Sequence, residues 1–280
     1  MDRELVLAVL VVFLCGSTLT AAGWYPSGAT EALSVRALER RTWQRLWLPF
    51  VPALLLLAAL CGWASVEPEQ SERVPSFLIV GALPFAALLL HAGGRALLSL
   101  RRVDQDQAMA TIGLLRPRIV VSPEVVKTLD ARALAAGLEH ERAHARHRDP
   151  LRIWLAHFGT DLLLPWPVAA SRLLCWRRAL ELARDEEARL AGVAGADLAA
   201  AVLAALRIGQ KGAWSSVATL GGDTAFLEER IARLMEPIDP RSETPRRAFW
   251  PLAVIVGITS ASFLGAHFGE RVVSGFLALV

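Results

Sequence analysis

Thiol chemistry has little place in this sequence. Its three cysteines, Cys15, Cys61 and Cys175, stand far apart, and two of them lie inside apolar stretches. With no C-x-x-C pair, neither a disulfide framework nor a thiolate metal site is indicated, and buried free thiols are the expectation. A dense Lys/Arg tract with interleaved aromatics is also missing. With a net charge of only +3, the chain does not read as a nucleic-acid binder. The N-terminus lacks the basic region of a secretory signal, because Asp2 and Glu4 flank Arg3. The first apolar stretch is therefore expected to stay in the protein, although Thr20-Ala21-Ala22 keeps a cleaved leader open as an alternative.

What the chain has in excess is apolar residues, 54% of the total, gathered in blocks. Residues 5–24, 46–66, 75–100 and 249–268 each approach the ~20 residues needed to cross a bilayer. Tryptophans near the block ends (Trp24, Trp43, Trp47, Trp63, Trp250) suit interfacial anchoring. Arginine sets the orientation. Arg36, Arg40, Arg41 and Arg45 follow the first block, and Arg101 and Arg102 follow the third. Arg241, Arg246 and Arg247 precede the fourth, while the loop between the second and third is acidic, with Glu67, Glu69 and Glu72. Counting arginines as cytoplasmic places both termini outside and residues 101–247 inside.

That inner region carries the chemistry. Gly113 and Pro117 punctuate a short extended stretch ending in Ile119-Val120-Val121. Ser122 followed by Pro123 reads as an N-cap, and Asp130 as another, opening an alanine-rich helix to about Arg146; Asp149-Pro150 ends it. On this predicted helix stands His140-Glu141-Arg142-Ala143-His144, an H-E-x-x-H run. Histidines four apart share one helix face and can hold one Zn²⁺, with Glu141 beside it as a general base.

A catalytic zinc site needs a third protein ligand. A second predicted helix, 171–190, offers Glu181 and Asp185, again four apart. Glu181 is the expected ligand. Asp185 is the expected acceptor for the far ring nitrogen of a ligand histidine, His140 first. Glu186 and Glu187 are the competing carboxylates, and the bland alternative for Glu181 is an ion pair with Arg177 or Arg178. His147 is expected to be solvated or to face substrate, and Arg148 and Asp149 to cap the helix end. His147, Arg148 and Arg184 are candidates for stabilising an oxyanion. The stretch 151–176 is apolar yet holds Arg152, His157, Asp161 and Arg172. Spanning the bilayer there would split the site, so it reads as a surface-lying or re-entrant helical hairpin.

The runs Gly113–Val120, His140–Pro150 and Glu181–Asp185, with the later Leu227–Leu234, resemble the membrane metallopeptidases of the BlaR/MecR type, metallopeptidase family 56. The resemblance covers roughly residues 75–270. It implies zinc on His140, His144 and Glu181, with Glu141 as catalytic base. The fold it implies is a mainly α membrane protein with about four transmembrane helices. A helical, gluzincin-like peptidase domain with a small β part lies between the third and fourth.

The expected divisions are 1–100 for three spans, 101–247 for the cytoplasmic peptidase domain, and 248–280 for the fourth span and a short external tail. The chain ends soon after the fourth block and carries no Ser-x-x-Lys motif outside, so the penicillin-sensor domain of that family is not expected. The implied substrate is a cytoplasmic protein, a winged-helix transcriptional repressor being one candidate. The setting is a multi-pass protein of the plasma (inner) membrane, in contact with lipid and compatible with a homodimer. HtpX-like quality-control peptidases share H-E-x-x-H and a similar Glu-x-x-x-Asp, and stand as the alternative. A non-catalytic membrane signalling scaffold is the third reading.

Overall fold

The structure is a computed structural model that describes residues 3–24, 34–65, 76–101, 109–212, 220–237, 256–265 and 268. It is mainly helical, in the order α1 (Arg3–Gly23), α2 (Val35–Trp47), α3 (Phe50–Ala64), α4 (Ser76–Arg101), β1 (Met109–Ile112), β2 (Arg118–Val121), α5 (Pro123–Thr128), α6 (Ala131–Arg146), α7 (Asp149–Leu162), α8 (Pro167–Leu190), α9 (Gly195–Gly212) and α10 (Leu220–Met235).

Two helices, α1 and α4, are long and apolar enough to cross a membrane. They pack through glycine. Phe85 lies against Gly16 and Phe13 against Gly81, and the two rings meet edge to face at 6.4 Å. Because higher numbers meet higher numbers, α1 and α4 run parallel. A Cβ at Gly16 would stand 2.3 Å from the Phe85 ring, so the absence of a side chain is what lets the ring seat there.

The second apolar block is broken. α2 and α3 meet at a 45° bend around Leu48 and Pro49, and only together do they pass as one candidate span. α2 carries Arg36, Arg40, Arg41 and Arg45 and packs against α8. The apolar length is therefore that of α3, whose 15 residues rise ~22 Å against a hydrocarbon core of ~30 Å. Of the fourth block, only a helix at Val256–Gly265 and residue 268 fall among the described residues, and that helix is too short to cross alone.

The rest forms a helical body around α6. Its buried face, Ala133, Ala136, Gly137, His140, Ala143 and His144, is made of small residues apart from the histidines. Small side chains let β1, α8 and α9 approach closely; a Cβ at Gly137 would stand 3.2 Å from Met109 and 3.3 Å from Ala201. Asp130 Oδ1 accepts from the Ala133 N–H at 2.8 Å and starts α6, and Ser122 caps α5 in the same manner. The expected single strand is in fact an antiparallel hairpin, β1 with β2, pairing Met109 with Val121 and Ile112 with Arg118. Gly113, at φ +94°, makes the turn between them.

Residues 151–176 fall in a helical hairpin, α7–α8. Its tip meets the end of α1. Trp166 lies on Gly23 and edge to face with Trp24 at 5.0 Å, and Arg172 donates to the Gly23 carbonyl at 3.1 Å. Its flank meets the end of α4, where Trp154 donates to the Ala96 carbonyl at 3.1 Å and Arg95 pairs with Asp161 at 2.9 Å.

Two buried clusters hold this body together. One is rich in tryptophan: Leu46, Ala156, Leu173, Trp176 and Leu180, with Trp43, Trp47 and Ile153 against them. The other is built from small and aliphatic residues: Ala136, Ala188, Leu198, Ala199 and Leu234, with Val193, Val202 and Ile231. α8 contributes Leu180 to the first and Ala188 to the second. The stretch between them, 181–185, holds the site.

Candidate metal centre

α6 presents His140 and His144 on its buried face, with the two Nε2 atoms 3.1 Å apart. α8 brings Glu181 up to them: Oε2 is 3.5 Å from His140 Nε2, and Oε1 is 3.8 Å from His144 Nε2. Among the described residues these three form the one group of His, Cys, Asp or Glu that could hold a metal ion, their ligand atoms all lying within 4.8 Å of one another. Three donors at one point, two imidazole nitrogens and a carboxylate, are what a cation with an open coordination position requires. Glu186 and Glu187 are not in that group; Glu187 instead binds His147 and Arg146.

The far side of each ring is also provided for. His144 Nδ1 lies 2.9 Å from Asp149 Oδ2. His140 Nδ1 lies 2.9 Å from Asp185 Oδ1, a close contact in which the N–H is not aimed squarely at the oxygen. A carboxylate at Nδ1 holds the proton there and turns the Nε2 lone pair toward the shared point.

The carboxylates are themselves neutralised. Arg230, from α10, reaches Asp185 with Nε (2.6 Å) and Nη2 (2.9 Å), and Nη2 also lies 3.1 Å from Glu181 Oε2. Asp149, fully buried, takes Arg184 on both oxygens and Arg152 on Oδ1 at 3.0 Å. Burial opposes ionisation at these acids, yet the facing cations win. Arg230 and His140 hold Glu181 well below the usual carboxylate range and lower Asp185, and His144 with Arg184 holds Asp149 low. Burial likewise pulls the His140 imidazole down, but the Asp185 and Glu181 carboxylates outweigh it and lift the group to about 9.

Glu141 points elsewhere. Its Oε2 and its own carbonyl oxygen both face Thr111 Oγ1 of β1, at 2.7 and 2.8 Å. The hydroxyl thus holds the carboxylate from the strand side.

Several sequence expectations change here. Asp149 does not merely stop α6; it is the partner of His144. Arg148, with φ 53°, makes the reversal, a left-handed turn that carries the chain directly into α7 and returns Asp149 to the α6 face. Arg184 was a candidate for an oxyanion but is 4% exposed and engaged with Asp149. His147 is bonded to Glu187 at 2.8 Å on the surface. The arginine that Glu181 meets is Arg230, at 3.1 Å. Arg230 and Thr111 had no assigned role; the only sequence signal for Arg230 was its place in the family-like run Leu227–Leu234.

No protein-family model, curated protein or solved structure matches this chain.

Proposed function

We propose that the chain is a membrane-embedded zinc metalloendopeptidase of the BlaR/MecR kind that hydrolyses peptide bonds of a cytoplasmic protein. One observation carries this reading. His140, His144 and Glu181 converge while Glu141, the residue after His140 on the same helix, is held by Thr111 and is not in the cluster. A site that only stabilises the fold needs no such group. The donor set, two imidazole nitrogens and one carboxylate with an open position, suits Zn²⁺ among the common cations, and a bound ion would displace the proton that the carboxylates otherwise favour on His140.

Zinc, when bound, polarises the scissile carbonyl and lowers the pKa of the attacking water. Glu141 takes the proton of that water and returns it to the leaving amine nitrogen. Asp149 and Asp185 keep the two rings in one tautomer throughout. Arg230, sharing its charge between Asp185 and Glu181, keeps the third ligand ionised and oriented. The arginine bias supports a cytoplasmic site with both termini outside. Contacts of the α7–α8 hairpin with the ends of α1 and α4 support a site lying against the bilayer.

The test is a pair of measurements on one variant. Glu141→Ala protein should bind zinc with wild-type stoichiometry and lose at least ~10²-fold in peptide hydrolysis, the scale of a lost general base. Proteomic comparison of cells carrying wild type and Glu141→Ala should then reveal fragments made only by the wild type, and with them the substrate. Full proteolysis by Glu141→Ala would refute the mechanism.

A further inference from the structure

We infer that Glu39 and Arg152 are positioning residues for the metal centre, through which α2 sets the orientation of His144. This rests on the metal-site reading above and extends it to residues that touch neither metal nor substrate. The chain of contacts is continuous. His144 Nδ1 meets Asp149 Oδ2 at 2.9 Å, Asp149 Oδ1 meets Arg152 Nη1 at 3.0 Å, and Arg152 Nη2 meets Glu39 Oε1. Glu39 is 8% exposed on a helix otherwise studded with arginines, a placement that costs free energy unless its charge is matched.

Arg152 matches it and is held rigidly. Its guanidinium lies over the Trp43 ring at 4.6 Å and the Trp176 ring at 5.5 Å, with one nitrogen given to each carboxylate. A planar fork packed against two adjoining rings transmits direction as well as charge. Asp149 already has Arg184 for neutralisation. What Arg152 adds is a tie between Asp149 and α2, which continues past the 45° bend into the apolar α3. Without Glu39, the Arg152 cation is drawn wholly onto Asp149 and competes with the His144 ring N–H for that carboxylate. Without Arg152, Glu39 is buried unmatched and Asp149 is held from one side.

The experiment uses the full chain in nanodiscs. It reads zinc affinity by chelator competition and the visible absorption bands of the cobalt-substituted protein, which report ligand geometry. Glu39→Gln and Arg152→Met should each weaken zinc about 10-fold, the lower end for partners behind a metal ligand, and shift the cobalt bands. Arg152→Lys, which keeps the charge and loses the fork, should recover affinity part-way with the bands still shifted. Arg95→Met, which breaks the Arg95–Asp161 pair on the other face of α7, should match wild type in both readings. Wild-type affinity and bands in Glu39→Gln and Arg152→Met would overturn the inference and leave the zinc site standing. Equal losses in Arg95→Met would overturn it as general loosening. Zinc affinity that survives His140→Ala would overturn the metal-site reading and the inference with it.

Discussion

His140 and His144 stand one turn apart on the same helix, yet they are anchored in different parts of the molecule. The His144 side is local and redundant. Asp149 comes from five residues away and is matched by two arginines, one of them stacked on the tryptophan-rich cluster. The His140 side is distant and economical. Asp185 and Glu181 share a single arginine on α10, next to Ile231 of the aliphatic cluster. One histidine is tied through Arg152 to the cluster that α2 helps to build, and the other through Arg230 to the cluster of α9 and α10. Closing the site therefore requires both clusters to be formed.

The largest test of this contrast is neutralising each carboxylate. Asp149→Asn leaves Arg184 and Arg152 facing each other without their anion and should cost about 3–5 kcal/mol. Asp185→Asn should cost less, because Arg230 keeps Glu181. Each should weaken zinc by roughly 10–100-fold. Thermal unfolding and chelator titration of the two variants check this, and equal stability losses would erase the contrast.

A smaller effect tests the outer rim of the His144 side. Burial raises the Glu187 carboxyl, but His147, Arg146 and Arg184 hold it down at about 2. A lowered carboxyl stabilises the fold above its unfolded value near 4.5 and loses that contribution as pH falls toward 2. The bridge's partners are half-exposed, so its worth should stay under about 1 kcal/mol. Glu187→Gln should flatten the acid limb of a stability–pH curve between pH 4.5 and 2. An unchanged limb would show that the rim adds nothing to the His144 side.

The smallest effect belongs to the turn that returns Asp149 to His144. A left-handed arginine carries about 1 kcal/mol of steric cost that glycine avoids. Arg148→Gly should raise stability by up to about that amount, with zinc affinity unchanged. A loss of affinity would mean that the Arg148 side chain holds the His144 side itself.

What was legible in the sequence is what repeats at short spacing. His140 and His144, Glu181 and Asp185, and the N-caps Ser122 and Asp130 each follow from a helical offset of three or four. The long apolar blocks were legible for the same reason of continuity. Asp149 was misread because one residue serves two purposes: Asp-Pro punctuates a helix, and only the left-handed turn at Arg148 reveals that its oxygens fold back. Arg230 lies 90 residues from His140. No local offset predicts such a pair; it exists because α10 packs on α8 and α9. β1 escaped notice because Met109-Ala110-Thr111-Ile112 has little strand character until β2 pairs with it. The second apolar block is legible as apolar length, but hydropathy does not register the bend at Leu48–Pro49, and the block counts as a candidate span only together with the helix before it.

The interlock of Phe85 on Gly16 and Phe13 on Gly81 works as a depth gauge. Beyond that contact, α1 runs seven residues to Gly23 and α4 runs about ten to Arg95, roughly 10 and 15 Å along the axis. At those two heights the α7–α8 hairpin is seized, by the Gly23 carbonyl and by the Ala96 carbonyl. Sliding one helix past the other would tilt the hairpin as a lever tilts its load. With α1 and α4 taken as spans, the height of the His140–His144–Glu181 cluster relative to the hydrocarbon would be set at two glycines.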